Sequence, residues 1–299
     1  MDSGNAKTYW TRIFQRGGGR TSKRFLSSVA RSIRWGLISR PTAKKRRLPD
    51  FIIFGVQKCG TTSLHEYISA NPKVSPALRK EVRFFDRPKK WGEGVDWYRA
   101  HFPISRPDDA DLTGEASPYY MLYPLAAKRV KQVAPEAKLI TILRNPADRA
   151  FSHWRHNHQR GYETLSFEDA IEAEPERLDR EIERLLEDET YRAFALQRYS
   201  YQLRGMYADQ LDRWLALFPR EQILVLSTEA LREDRNSVVS RTEEFLGLPH
   251  IDTTDLGEHM VGRFSSTMDP TTRERLLDHF APHNQRLFDL IGDDFGWDA

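Results

Sequence analysis

Lys58, Cys59, Gly60, Thr61 and Thr62 bring a cation, a turn glycine and two hydroxyls together within five residues. The run follows the apolar stretch Phe51-Ile52-Ile53-Phe54, which reads as a buried strand, and opens a helical pattern over Thr61 to Ala70. Strand, glycine turn and helix N-terminus together cradle an anion, because free backbone N–H groups and the positive end of the helix dipole face the same point. Gly55 and Gly60 have the spacing of a nucleoside-triphosphate loop, but Thr61 stands where that loop needs its lysine. The one lysine, Lys58, lies inside the loop, and Thr62 keeps the hydroxyl position. This loop suits one terminal phosphate with a cation aimed at it, and suits a magnesium triphosphate poorly.

A second stretch carries related chemistry. Lys138 to Leu143 reads as another buried strand, a natural place for a metal-holding carboxylate, yet it ends in Arg144. Ser152 follows, one or two helical turns beyond Asn145-Pro146. An Arg at a strand end and a Ser on the next helix bind phosphate directly, without metal. Two phosphate sites of this kind suggest a nucleotide with phosphates at both ends of its ribose. At these residues the chain resembles the sulfotransferases that use 3′-phosphoadenosine 5′-phosphosulfate (PAPS). Four blocks carry the resemblance in order: Lys58 to Thr62, Glu81-Val82-Arg83-Phe84-Phe85-Asp86, Gly114-Glu115-Ala116-Ser117-Pro118-Tyr119, and Leu143-Arg144-Asn145-Pro146 through Ser152. A weaker match begins at Gly262-Arg263, and the whole runs over residues 49–297. The heparan-sulfate-type and bacterial branch fits better than the cytosolic phenol and steroid type.

The resemblance implies a three-layer α/β/α, P-loop-like domain over 49–299 with a mainly parallel central sheet. It implies transfer of a sulfuryl group from PAPS to a hydroxyl or amine of a carbohydrate, lipid or small-molecule acceptor, leaving PAP, with no metal. Lys58, Cys59, Gly60, Thr61 and Thr62 would hold the 5′-phosphosulfate; Arg144, Ser152, Gly262 and Arg263 would hold the 3′-phosphate. Lys58 and Glu81 would be catalytic, Glu81 as the general base that an alcohol nucleophile requires. On its own residues Glu81 reads better as the partner of Arg83 or Arg79 on a surface strand, and Glu115 is its rival as base. Arg83 stands where relatives often carry His, and Ala116 where they often carry Lys. With an acidic body, the latter argues against a sulfated polysaccharide acceptor. The rival readings are a P-loop nucleotide kinase or NTPase, and a non-catalytic PAP-binding module.

The elements that must position these groups follow from the rest of the chain. Its 299 residues, 39% hydrophobic, suffice for one α/β core. The net charge of +3 divides unevenly: residues 1–50 carry 13 Lys/Arg against two acids, so the remainder is acidic. Residues 1–48 read as a basic leader, in part disordered, with Leu26, Val29, Ala30, Ile33 and Leu37 at helical spacing within 22–40. Such a basic amphipathic helix lies on a membrane surface or packs on a protein; an organelle transit peptide is the other reading. Lys44-Lys45-Arg46-Arg47 comes with no aromatic or zinc module, so nucleic acid is not expected as a partner. One cysteine, Cys59, allows no internal disulfide, which favours the cytoplasm, peripheral to a membrane if the leader binds one. Cys59 itself reads as a small residue fitting a tight turn. His153, His156 and His158, at spacings of three and two, do not share one helix face and read as solvated helix residues. Arg177 with Glu181 reads as a pair on an acidic, solvated helix over 166–190.

Overall fold

The computed structural model describes residues 39–105, 111–254, 256 and 267–297. The expected leader helix lies almost wholly outside the described residues, and so do Gly262 and Arg263.

Four strands form one parallel sheet in the order β2-β1-β3-β4: β1 Phe51–Gly55, β2 Gly114–Ala116, β3 Lys138–Leu143 and β4 Ile223–Ser227. Every residue of β1 and β4 is buried, as expected of strands covered on both faces. Helices α1 Thr61–Ser69, α2 Ala126–Val133, α3 Pro146–His158, α4 Tyr207–Leu215, α5 Arg235–Leu246 and α6 Pro270–Ile291 supply most of that cover. Trp214 on α4 packs its ring 4.2 Å from that of Phe54. Gly114 is glycine because the Phe51 ring lies where its side chain would be: a Cβ there would come within 2.5 Å of it. This is the α/β fold with a central parallel sheet that the sequence implied.

The end of the basic leader packs against the body of the protein. Residues 39–48 join the domain, with Ala43 and Arg46 buried. Arg46 donates to Phe102 O at 2.5 Å, and Arg47 pairs with Asp50 at 2.8 Å. Half of the basic tetrad is therefore spent on the protein's own backbone and carboxylates.

The acidic stretch is three short helices, Phe167–Glu172, Glu174–Leu178 and Glu181–Glu187, not one solvated helix. Its pairing also differs from expectation. Arg177 reaches back to Glu163 at 2.7 Å, while Glu181 is buried and accepts from the amides of Ala195 and Leu196. Trp297 is buried against Phe288 and Tyr207. Its carbonyl accepts from Asn145 Nδ2 at 3.1 Å, at the head of α3.

Candidate active site

The phosphate loop joins β1 to α1. Gly60 caps α1 with φ +86°, and Lys58 also adopts a left-handed backbone, φ +76°. For a residue with a β-carbon that conformation costs about 1–3 kcal/mol, so its surroundings must hold it. Three contacts supply the hold. Thr228 Oγ1 lies 2.7 Å from Cys59 O and 2.6 Å from Leu143 O, tying the loop to the end of β3. Cys59 is fully buried beside Tyr207 Oη, and burial pushes its thiol up to about 12. Arg204 donates to Gln57 Oε1.

Lys58 has no carboxylate in ion-pair range among the described residues. Burial, then the charges of Arg155, Arg144 and Arg160, bring its ammonium down to about 8. The charges of Arg155, Arg144 and Arg160 thus bear on a lysine that has no carboxylate of its own in range among the described residues, which favours a bound anion. Arg144 follows β3, and its Nε is buried without a hydrogen-bond partner among the described residues. Its carbonyl accepts from Tyr207 Oη at 2.8 Å, and its guanidinium stays 3.9 Å from Asp148. Asn145 caps α3 by accepting from the amides of Ala147 and Asp148, with Pro146 as first helical residue. Ser152 is partly exposed and follows Asp148 by one turn of α3. Arg155, three residues on, shares that side of the helix.

Glu81 enters from the segment before Phe84. This segment is not a strand. Glu81 and Arg83 both have positive φ, +58° and +57°, so Val82, Phe84 and Phe85 all turn inward. The side chain of Glu81 remains 45% exposed, with Lys80 Nζ 3.7 Å from it. The same Nζ donates to Thr62 Oγ1 at 2.8 Å. Lys80 thus bridges the loop and the candidate base, a link that sequence reasoning missed although the lysine directly precedes Glu81. Arg83 is committed to Asp86 through two bonds of 2.9 and 2.5 Å to one carboxylate oxygen, so it does not pair with Glu81.

Glu115 is unsuited to act as base. It is fully buried and accepts from Tyr98 Oη, Tyr120 Oη, Ser117 Oγ and Val82 N at 2.7–3.2 Å. Burial pushes its carboxyl up; its hydroxyl partners oppose that shift. Its place is structural, pinning the segment that carries Glu81. His153 also departs from expectation: it is buried against the Tyr201 ring, and burial holds it well below the usual histidine range. His158 alone of the three is exposed. Val95–Arg99 is a short helix whose Tyr98 packs in the core, with Phe102 just beyond it, so neither lines an open pocket. No group of three or more metal-ligating side chains occurs among the described residues.

Residues 48–274 match the family model described as the sulfotransferase domain. The chain belongs to the sulfotransferase family. Members of this family use PAPS as donor. The sulfotransferase of Alicyclobacillus acidocaldarius superposes with a TM-score of 0.62 at 34% identity, over 85% of this chain and all of that one. The human heparan sulfate glucosamine 3-O-sulfotransferase 6 is 30% identical over 91% of this chain and 80% of its own length. The human bifunctional heparan sulfate N-deacetylase/N-sulfotransferase 3 is 33% identical over 82% of this chain. This chain spans only 30% of that larger protein. The sulfotransferase fold therefore covers the loop, the Glu81 segment and the head of α3 alike.

Proposed function

We propose that this chain transfers a sulfuryl group from PAPS to a hydroxyl or amine of an acceptor, with Glu81 as the base. The observation that carries the reading is Lys58: a cation in the loop, crowded by Arg144, Arg155 and Arg160, with no carboxylate in range among the described residues. Bound PAPS supplies the sulfuryl group and PAP as leaving group. Lys58 and the N–H groups at Gly60, Thr61 and Thr62 hold the 5′ end, and Cys59 packs the turn beneath them. Lys58 neutralises charge that builds on the bridging oxygen in the transition state. Arg144 and Ser152 hold the 3′-phosphate, helped by Gly262 and Arg263. Glu81 takes the proton from the acceptor as its oxygen or nitrogen attacks sulfur, and Lys80 keeps that carboxylate beside the loop.

The two human relatives are named for heparan sulfate, and a carbohydrate acceptor is the class proposed here. The overall acidity of the body weighs less against it than the sequence suggested. Residues 79–90 hold six Lys/Arg against Glu81 and Asp86, so the surroundings of the base are basic. Residues 22–40 are proposed to contact an anionic membrane surface, which co-sedimentation with anionic and neutral vesicles tests. No helix among the described residues is long and apolar enough to cross a membrane.

The deciding experiment is titration with PAP, 5′-AMP and ATP, each with and without Mg²⁺, followed by PAPS turnover against an acceptor panel. Metal-independent binding of PAP with turnover supports the proposal. ATP binding that needs Mg²⁺ would make the chain a kinase or NTPase, and PAP binding without turnover a non-catalytic module.

A further inference from the structure

Arg204 is 1% exposed and has no carboxylate in ion-pair range among the described residues. Burial brings its guanidinium down to about 9, a cost that needs an offsetting purpose. Its contacts are all directional. One nitrogen is held by Ser200 Oγ at 2.9 Å, Gln197 O at 3.0 Å and Leu196 O at 3.3 Å. The Tyr119 ring covers it at 5.2 Å. The other terminal nitrogen donates to Gln57 Oε1. Gln57 is the residue immediately before Lys58, whose left-handed backbone has to be imposed from outside.

We propose that Arg204 is a positioning residue for the transfer reaction: held rigidly in the core, it fixes Gln57 and thereby the turn that aims Lys58 at the donor. This rests on the reading of Lys58 as the donor-site cation. Arg204 does not touch the donor; it acts through Gln57. A lysine at the same place would keep the charge and lose the planar fork that binds the carbonyl oxygens and the amide together.

The test is calorimetric titration of PAP into the full chain and into Gln57→Leu, Arg204→Met, Arg204→Lys and the Gln57→Leu/Arg204→Met double variant, with melting curves for each. Both single breaks are expected to weaken PAP by about tenfold or more, since a charge-assisted contact is lost. The double variant should be no weaker than the worse single, because both cut one link. Arg204→Lys should stay weak. Should Arg204→Met fail to fold, Gln57→Leu decides, as it cuts the link from the loop side and leaves the buried guanidinium in place. Additive losses, full affinity in Arg204→Lys, or lowered melting temperatures with unchanged PAP affinity would each overturn the inference. A wild type with no preference for PAP over 5′-AMP would overturn the donor-site reading itself, and this inference with it. A retained preference with unaffected Arg204 and Gln57 variants removes only the positioning role.

Discussion

Lys80 Nζ lies 2.8 Å from Thr62 Oγ1 and so fastens the segment bearing Glu81 to the first turn of α1. In the proposed reaction the donor side and the acceptor side of the site share this one ammonium. Variants on the two sides can nevertheless be told apart, because each alters a different measurable.

Lys58→Ala should cut sulfuryl transfer by about two to three orders of magnitude, as loss of an oxyanion-type charge does. PAP affinity should fall less, because charge on the bridging oxygen peaks in the transition state. Equal losses in turnover and in PAP affinity would reduce Lys58 to a ground-state anchor.

The same lysine predicts a pH dependence. Burial and the charges of Arg155, Arg144 and Arg160 bring Lys58 in the free protein down to about 8. Bound PAP favours the ammonium, so binding is strongest below that value, where the proton is already present. As pH climbs above about 8, affinity should fall by up to about tenfold per unit until the bound form also titrates. Lys58→Arg keeps its charge throughout and should flatten the curve. A fall of the same steepness in Lys58→Arg would assign the titration to another group.

Arg144→Ala should erase nucleotide selectivity. The wild type should prefer PAP over 5′-AMP, a buried charge-assisted contact being worth about 1.5–3 kcal/mol. Competition binding of the two nucleotides checks this, and unchanged selectivity would move the 3′-phosphate site elsewhere.

Glu81→Gln keeps the shape and removes the basicity. Transfer should drop by about two to four orders of magnitude with PAP affinity near wild type. Glu115→Gln should behave in the opposite way. Its amide would face donors, Tyr98 and Tyr120 on one side or Ser117 and Val82 N on the other, and should cost about 1–3 kcal/mol of stability. Chemical denaturation and turnover, run on both variants, separate base from brace. Near-normal turnover in Glu81→Gln would leave Glu81 as the ion-pair partner of Lys80.

Much of this was legible in the sequence where one residue determines its own role. The strand Phe51–Gly55, the turn at Gly60 and the strand Lys138–Leu143 all follow from side-chain type and spacing. What escaped depends on partners distant in sequence. Arg204 stands 147 residues from Gln57, and no local pattern announces their contact. The inward turn of Val82, Phe84 and Phe85 has no local signal, because Glu81 and Arg83 take left-handed backbones, which nothing in their chemistry favours. Glu115 looked like a free acid until Tyr98, Tyr120 and Ser117 were seen to converge on it. The packing of residues 39–48 on the domain escaped for a related reason: charge marks a segment as soluble, and Arg46 and Arg47 find acceptors inside the domain.

The burial of Cys59 turns the phosphate loop into something that can be timed. It is the chain's one cysteine, fully enclosed, and its thiol holds its proton to about 12. A thiol reagent can therefore modify the protein only during moments when the turn lets go of Tyr207 and Thr228. The rate of modification becomes a clock for those openings, read without any introduced label.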